Sequence, residues 1–100
     1  LLRRLAMLEP FGMGNPAPVL ACFGASIAPG SCRVLKEAHL RCVLEDGPSR
    51  LPAIGFGMAG LSEQLMAARQ VDLAFTPRFN TWQNQTSIQL QLVDIRPSAE

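Results

Sequence analysis

The chain opens on an apolar stripe of helical period and then changes to strict alternation. Leu1, Leu2, Leu5 and Leu8 fall on one side of a helix, with Arg3 and Arg4 off it. Residues 1–9 are therefore expected to be helical, and Pro10 ends the run. EPFGMGNPAPV, residues 9–19, is expected to be a rigid loop of glycines and prolines. From Val19 the period is two. VLACFGASIA puts Val19, Ala21, Phe23 and Ala25 on one face, and Gly24 marks a bulge. APG turns the chain at 28–30 into SCRVL, and KEA leads on to HLRCVLED. There Leu40, Cys42 and Leu44 oppose His39, Arg41 and Val43. DGPS closes a hairpin into LPAIGFGM, where Ile54, Phe56 and Met58 share a face and Gly55 and Gly57 the other.

GLSEQLMAARQ is the one clear internal helix, with Ser62 as its cap and Leu61, Leu65, Met66 and the stem of Arg69 inward. Two more strands follow. VDLAFTPRFN alternates Val71, Leu73 and Phe75 against Asp72, Ala74 and Thr76. TSIQLQLVDIR alternates Ile88, Leu90 and Leu92 against Gln89, Gln91 and Val93. TWQNQ between them reads as a polar connection. Three short strands, a helix and two strands predict a mainly β chain. The expected architecture is a five-stranded OB-fold Greek-key barrel with its helix between strands three and four, preceded by a short N-terminal helix. An open β-sandwich is the rival. The expected divisions are 1–18 for helix end and junction, 19–97 for the OB domain and 98–100 for a tail.

Hydrophobic residues make up 48%, enough for one packed core. Net charge is +1, so any attraction for a polyanion must come from local clustering of the nine Lys and Arg. The longest uncharged stretch, Pro10 to Ser31, is broken by Gly and Pro and cannot be a membrane helix. No signal peptide is visible, and a first residue of Leu suggests a piece of a longer chain. Cys22, Cys32 and Cys42 form no CxxC pair, and the single His39 completes no zinc set. Reduced, mostly buried cysteines are expected.

Catalysis has little to stand on. GMGNP lacks the preceding strand and following helix of a phosphate loop. Cys42 and His39 point to opposite faces of one strand, and the carboxylates form no metal cluster. A binding surface is the better candidate. Arg33, Lys36, His39 and Arg41 lie within nine residues and suit phosphates. Trp82, with Phe79 as a second candidate, could stack a base, and Asn80, Gln89 and Gln91 add neutral donors and acceptors. The same residues also fit a solvated face with Trp82 plugging a barrel end, and the sequence leaves both open.

LEPFGMGNPAPVL, HLRCVLE, AIGFG, VDLAFTPRFNTW and IQLQLVDIR, in this order, resemble the OB domain of the RecJ family over essentially the whole chain. RecJ proteins are bacterial exonucleases specific for single-stranded DNA, of the DHH phosphoesterase superfamily. The resemblance implies a five-prime exonuclease parent used in recombination and repair, cytoplasmic and monomeric, with manganese or magnesium in an upstream catalytic core. This stretch would be non-catalytic and hold no cofactor. Its partners would be single-stranded DNA and the core of the same chain. The alternative is a protein-interaction module that docks the core or a repair partner, suggested by the low charge and by Phe11 and Met13 in the junction. His39, Leu40 and Arg41 match the family's His-Leu-basic block, and Asn80 and Trp82 its Asn-x-Trp block. Two loops depart from it. The family often has Gly where Lys36 stands, and Gly soon after Asn-x-Trp, where this chain has QNQ at 83–85.

Overall fold

The computed structural model describes residues 5–7 as backbone and residues 18–98 throughout. Among the described residues seven strands form one sheet: β1 (Leu5–Met7), β2 (Leu20–Ile27), β3 (Arg33–Leu35), β4 (His39–Asp46), β5 (Ser49–Gly55), β6 (Val71–Trp82) and β7 (Gln85–Pro97). Between β5 and β6 a 3-10 turn, Ala59–Leu61, runs into the short helix α1, Ser62–Met66. Strand pairing runs β2–β6–β7–β5–β4 and returns to β2, with β5–β7 the one parallel pair. The ring is wide along β6–β7 and β4–β5 and thin at two seams. Only Ala53↔Leu90 and Ile54↔Gln91 join β5 to β7, and only Ser26↔Glu45 and Ile27↔Leu44 join β2 to β4. With β1 and β3 attached outside it, the fold is OB-like and mainly β without being a clean five-stranded barrel. No helix among the described residues is long and apolar enough to cross a membrane.

Alternation builds the core as expected on three strands. Leu40, Cys42 and Leu44 point inward from β4, and Leu73 and Phe75 pair with Ile95 and Leu92 across β6–β7, with Leu90 buried beside them. Leu65 closes one end from α1. A register shift opposite Ala74 and Phe75 leaves Val93 exposed and turns Ile95 inward. That is a bulge: one extra residue changes which side the following side chains take.

Several expectations are corrected. No N-terminal helix forms over residues 5–7; they pair antiparallel with β2 as Leu5↔Cys22, Ala6↔Ala21 and Met7↔Leu20. A nine-residue helix is marginal by itself, whereas the open edge of β2 needs hydrogen-bond partners. The rest of residues 1–9 and most of the Gly/Pro loop, with Phe11 and Met13, lie outside the described residues. On β2 Cys22 faces the core while Ala21 and Phe23 share the other side, and the bulge at Gly24, with φ +76°, brings Ala25 inward instead of leaving it in line with them. Asp72 accepts the Gly24 N–H at 3.0 Å and fixes the kink. On β5 the buried face is Ala53 and Gly55, with Ile54 on the other side and Phe56 exposed beyond the strand end. Ser62 caps nothing, because the 3-10 turn already precedes it, and Met66 is exposed. TWQNQ is not a connection. Strands β6 and β7 run on through it as a protruding arm, and only Gln83 and Asn84 make the turn.

Candidate nucleic-acid interface

Residues paired across neighbouring strands point to the same side of a sheet, so the register lists what shares the outer face. Arg33 of β3 pairs with Arg41 of β4, which pairs with Ile54 of β5, which pairs with Gln91 of β7. Gln91 in turn faces Thr76, and Gln89 faces Arg78 on β6. Further along the arm Asn80 pairs with Ser87 and Trp82 with Gln85. One continuous outer face therefore carries Arg33, His39, Arg41, Gln89, Asn80 and Trp82, all singled out from the sequence. Lys36 sits beside it in the exposed β3–β4 turn.

The outer face is set by local structure at both flanks. The β3–β4 hairpin is tacked to the ring by Ser31, whose hydroxyl accepts the Val43 N–H at 3.0 Å and donates to the Ala28 carbonyl at 2.7 Å. Two opposed arginines, Arg33 and Arg41, are exposed side by side. Among the described residues the ion pairs are Arg50–Glu45 and Arg96–Asp72, so no carboxylate neutralises Arg33, Lys36 or Arg41. Like charges directly opposite each other cost stability unless an anion lies between them.

At the other flank, Arg78 donates from Nε to Gln91 Oε1 at 2.8 Å. That bond holds the exposed guanidinium on the outer face and leaves its terminal nitrogens free for a phosphate fork. Arg78 was missed from the sequence, although its spacing to Asn80 and Trp82 is that of one strand face. Trp82 is 75% and Phe79 68% exposed, which excludes Trp82 as a core plug. The two do not act together: Phe79 pairs with Ile88 on the reverse side of the arm.

His39 is tied more tightly than a phosphate ligand needs to be. Its Nδ1 accepts the Gly57 N–H at 3.0 Å, so Nε2 carries the ring proton. Its ring meets Phe56 edge-on, with centroids 5.3 Å apart and planes at 77°. Cys22 and Cys42 are buried and Cys32 half-buried; burial raises the Cys32 thiol, and burial, then the neighbouring Cys32, pushes the Cys42 thiol up to about 11, so none is poised as a thiolate nucleophile. Among the described residues no three His, Cys, Asp or Glu side chains converge to hold a metal ion.

The family model of the RecJ OB domain matches residues 1–94. The chain belongs to the RecJ OB-domain family. It is 31% identical to the single-stranded-DNA-specific exonuclease RecJ of Thermus thermophilus, over 94% of this chain and 13% of that protein. It is 25% identical to the RecJ exonuclease of Bacillus subtilis, over 93% of this chain and 12% of that protein. Among solved structures it resembles Thermus thermophilus RecJ in complex with Mn2+, with a TM-score of 0.60, 26% identity and coverage of 93% of this chain and 13% of that one. The Mg2+ complex of the same protein gives 0.59 at 30% identity, over 93% of this chain and 14% of that one. The chain thus spans about an eighth of the length of the curated RecJ proteins it matches. The metal of those complexes has no ligand set among the residues described for this domain.

Proposed function

We propose that this domain is the single-stranded-DNA-binding OB module of a RecJ-type five-prime exonuclease used in recombination and repair. Catalysis and its manganese or magnesium belong to the rest of the parent chain, a cytoplasmic enzyme. The strand lies across β3, β4, β5 and β7 toward the arm. Arg33, Lys36, Arg41 and Arg78 take phosphates, Trp82 stacks a base, and Asn80 and Gln89 supply neutral donors and acceptors. The observation that carries this reading is the unneutralised Arg33–Arg41 pair on the face that also bears Trp82. Strands of this kind, with the loops beside them, are the usual oligonucleotide face of an OB fold. Tethered beside a core, weak contacts are enough to slow strand escape. Titrating the chain with labelled single strands at low salt should shift the Arg33 and Arg41 amides. Manganese should produce no digestion by the chain alone. Unmoved amides, or digestion, would defeat the reading.

A second reading has one observation in its favour. On another side of the ring, a groove of about 300 Å³ is lined by Ala21, Phe23, Leu73 and Ile95, with Asp94 and Arg96 at its rim. Docking of the catalytic core there would bury Phe23. Amide shifts confined to Phe23 and Asp94 when the core is added would support docking as an additional role.

A further inference from the structure

Phe56 is 55% exposed, a large apolar ring in water with glycine on each side of it in the chain. Exposure by itself means little, but this ring is held. Gly57 stands at φ +73°, in the left-handed region, where nothing lies within 4 Å of the position a Cβ would take. The turn is pinned twice at the start of β4, by the Gly57 N–H on His39 Nδ1 and by the Ala59 N–H on the carbonyl of the preceding residue, Ala38, at 3.0 Å. His39 then supports the phenyl ring edge-on. Leu40 pairs with Gly55, which sets Phe56 beyond the strand end opposite His39, two residues from Ile54 and its partner Arg41.

Resting on the reading of this face as a single-strand site, we infer that Phe56 is a base-stacking platform and that His39 positions it instead of binding phosphate. The chemistry is that of an immobilised π-face beside a guanidinium: the ring takes a nucleobase while Arg41 takes the adjoining phosphate. A ring already fixed by its neighbours loses little freedom on binding, which is the advantage of holding it before the ligand arrives. Stacking of this kind accepts any base and rejects a strand that has none.

The test compares a fluorescent oligothymidylate with an abasic strand of equal length, using the whole chain. Phe56→Leu keeps the apolar bulk and removes the ring. It should weaken oligothymidylate binding on the order of tenfold and leave abasic binding unchanged. Phe56→Trp should restore it. Arg41→Ala should weaken both strands. His39→Ala should reproduce part of the Phe56→Leu loss, and His39→Asn, whose amide oxygen can accept the Gly57 N–H, should recover it. Wild-type affinity for oligothymidylate in Phe56→Leu, or equal losses on both strands, would overturn the platform. Failure of the wild-type chain to bind either strand would instead overturn the binding reading, and the platform with it.

Discussion

Strands β6 and β7 form one hairpin with two different ends. Their ladder is continuous in pairing from Val71↔Pro97 to Trp82↔Gln85, broken in register only at the Ala74/Phe75 bulge. At the ring end Val71, Leu73 and Phe75 face Leu90, Leu92 and Ile95 in the core. Beyond Arg78 every β6 residue is exposed. Burial of apolar side chains offsets the ordering of the chain in the first half. The arm has no such core and relies on its ladder, the Thr81–Thr86 hydroxyl pair at 3.2 Å and the Arg78–Gln91 bond. The same backbone pairing therefore serves stability at one end and presents side chains at the other. Substitutions should separate the two cleanly.

The largest effect is expected in the ring. Leu90→Ala, at a position 1% exposed, should cost about 2–5 kcal/mol in urea unfolding. Trp82→Ala should stay within about 0.5 kcal/mol of wild type. An arm variant as damaging as the core variant would remove the distinction. Alkali should act on the ring alone. The folded pKa of Cys42, about 11, lies above its ordinary 9.0, so folding favours the neutral thiol. Its contribution is complete below pH 9 and is lost as pH rises toward 11, worth about 2–3 kcal/mol. The chain has no Tyr and one Lys, but the Cys32 thiol, also raised by burial, titrates beside it. Unfolding midpoints measured across that window should fall in wild type and fall less steeply in Cys42→Ala.

Strand identity and the inward faces of β4, β6 and β7 were legible because apolar residues alternate there without interruption. Where a face was misread, a local event intervened that leaves little trace in periodicity. The bulge at Gly24 turned Ala25 inward, out of line with Ala21 and Phe23, and the end of β5 at Gly55 released Phe56. At β1, nine residues fit a helical stripe, and only the tertiary availability of the β2 edge decided for a strand. The basic cluster could be read directly, but its extension to Arg78 depends on the β5–β7–β6 register, which is a long-range property. Polarity made TWQNQ look like a loop, although Thr and Trp are good strand residues and the next two positions hold the turn.

Binding should show the reverse order of sensitivity. Trp82→Ala, nearly silent in unfolding, should weaken single-strand binding by about 1–3 kcal/mol, with the loss persisting at high salt. With Arg33, Lys36, Arg41 and Arg78 all on phosphates, the log–log salt slope should be about −3. Arg78→Ala should make it shallower by about 0.7, while Arg78→Lys keeps the slope. Anisotropy titrations over a salt series check both. A slope unmoved by Arg78→Ala would remove Arg78 from the interface.

The smallest effect separates ring and arm by the same substitution in each. Lys36 and Glu37 have φ of 53° and 58°, and Gln83 and Asn84 of 52° and 66°. All four are left-handed, as the turns of tight hairpins require, and glycine fits there without a steric cost. Relief of about 1–2 kcal/mol at Lys36 or Gln83 is partly offset by the greater freedom glycine gives the unfolded chain. A net gain of about 0.5 kcal/mol remains. The Lys36 turn adjoins Ala38, whose carbonyl accepts the Ala59 N–H just beyond β5 and ties the turn to the ring, so Lys36→Gly should raise the melting temperature by about 2–4 °C. The Gln83 turn closes an arm that opens by itself, so Gln83→Gly should leave the melting temperature unchanged. Its gain should appear only as slower hydrogen exchange at the Gln85 amide and its neighbours in the arm. Equal shifts in melting temperature from the two variants would mean that arm and ring unfold together.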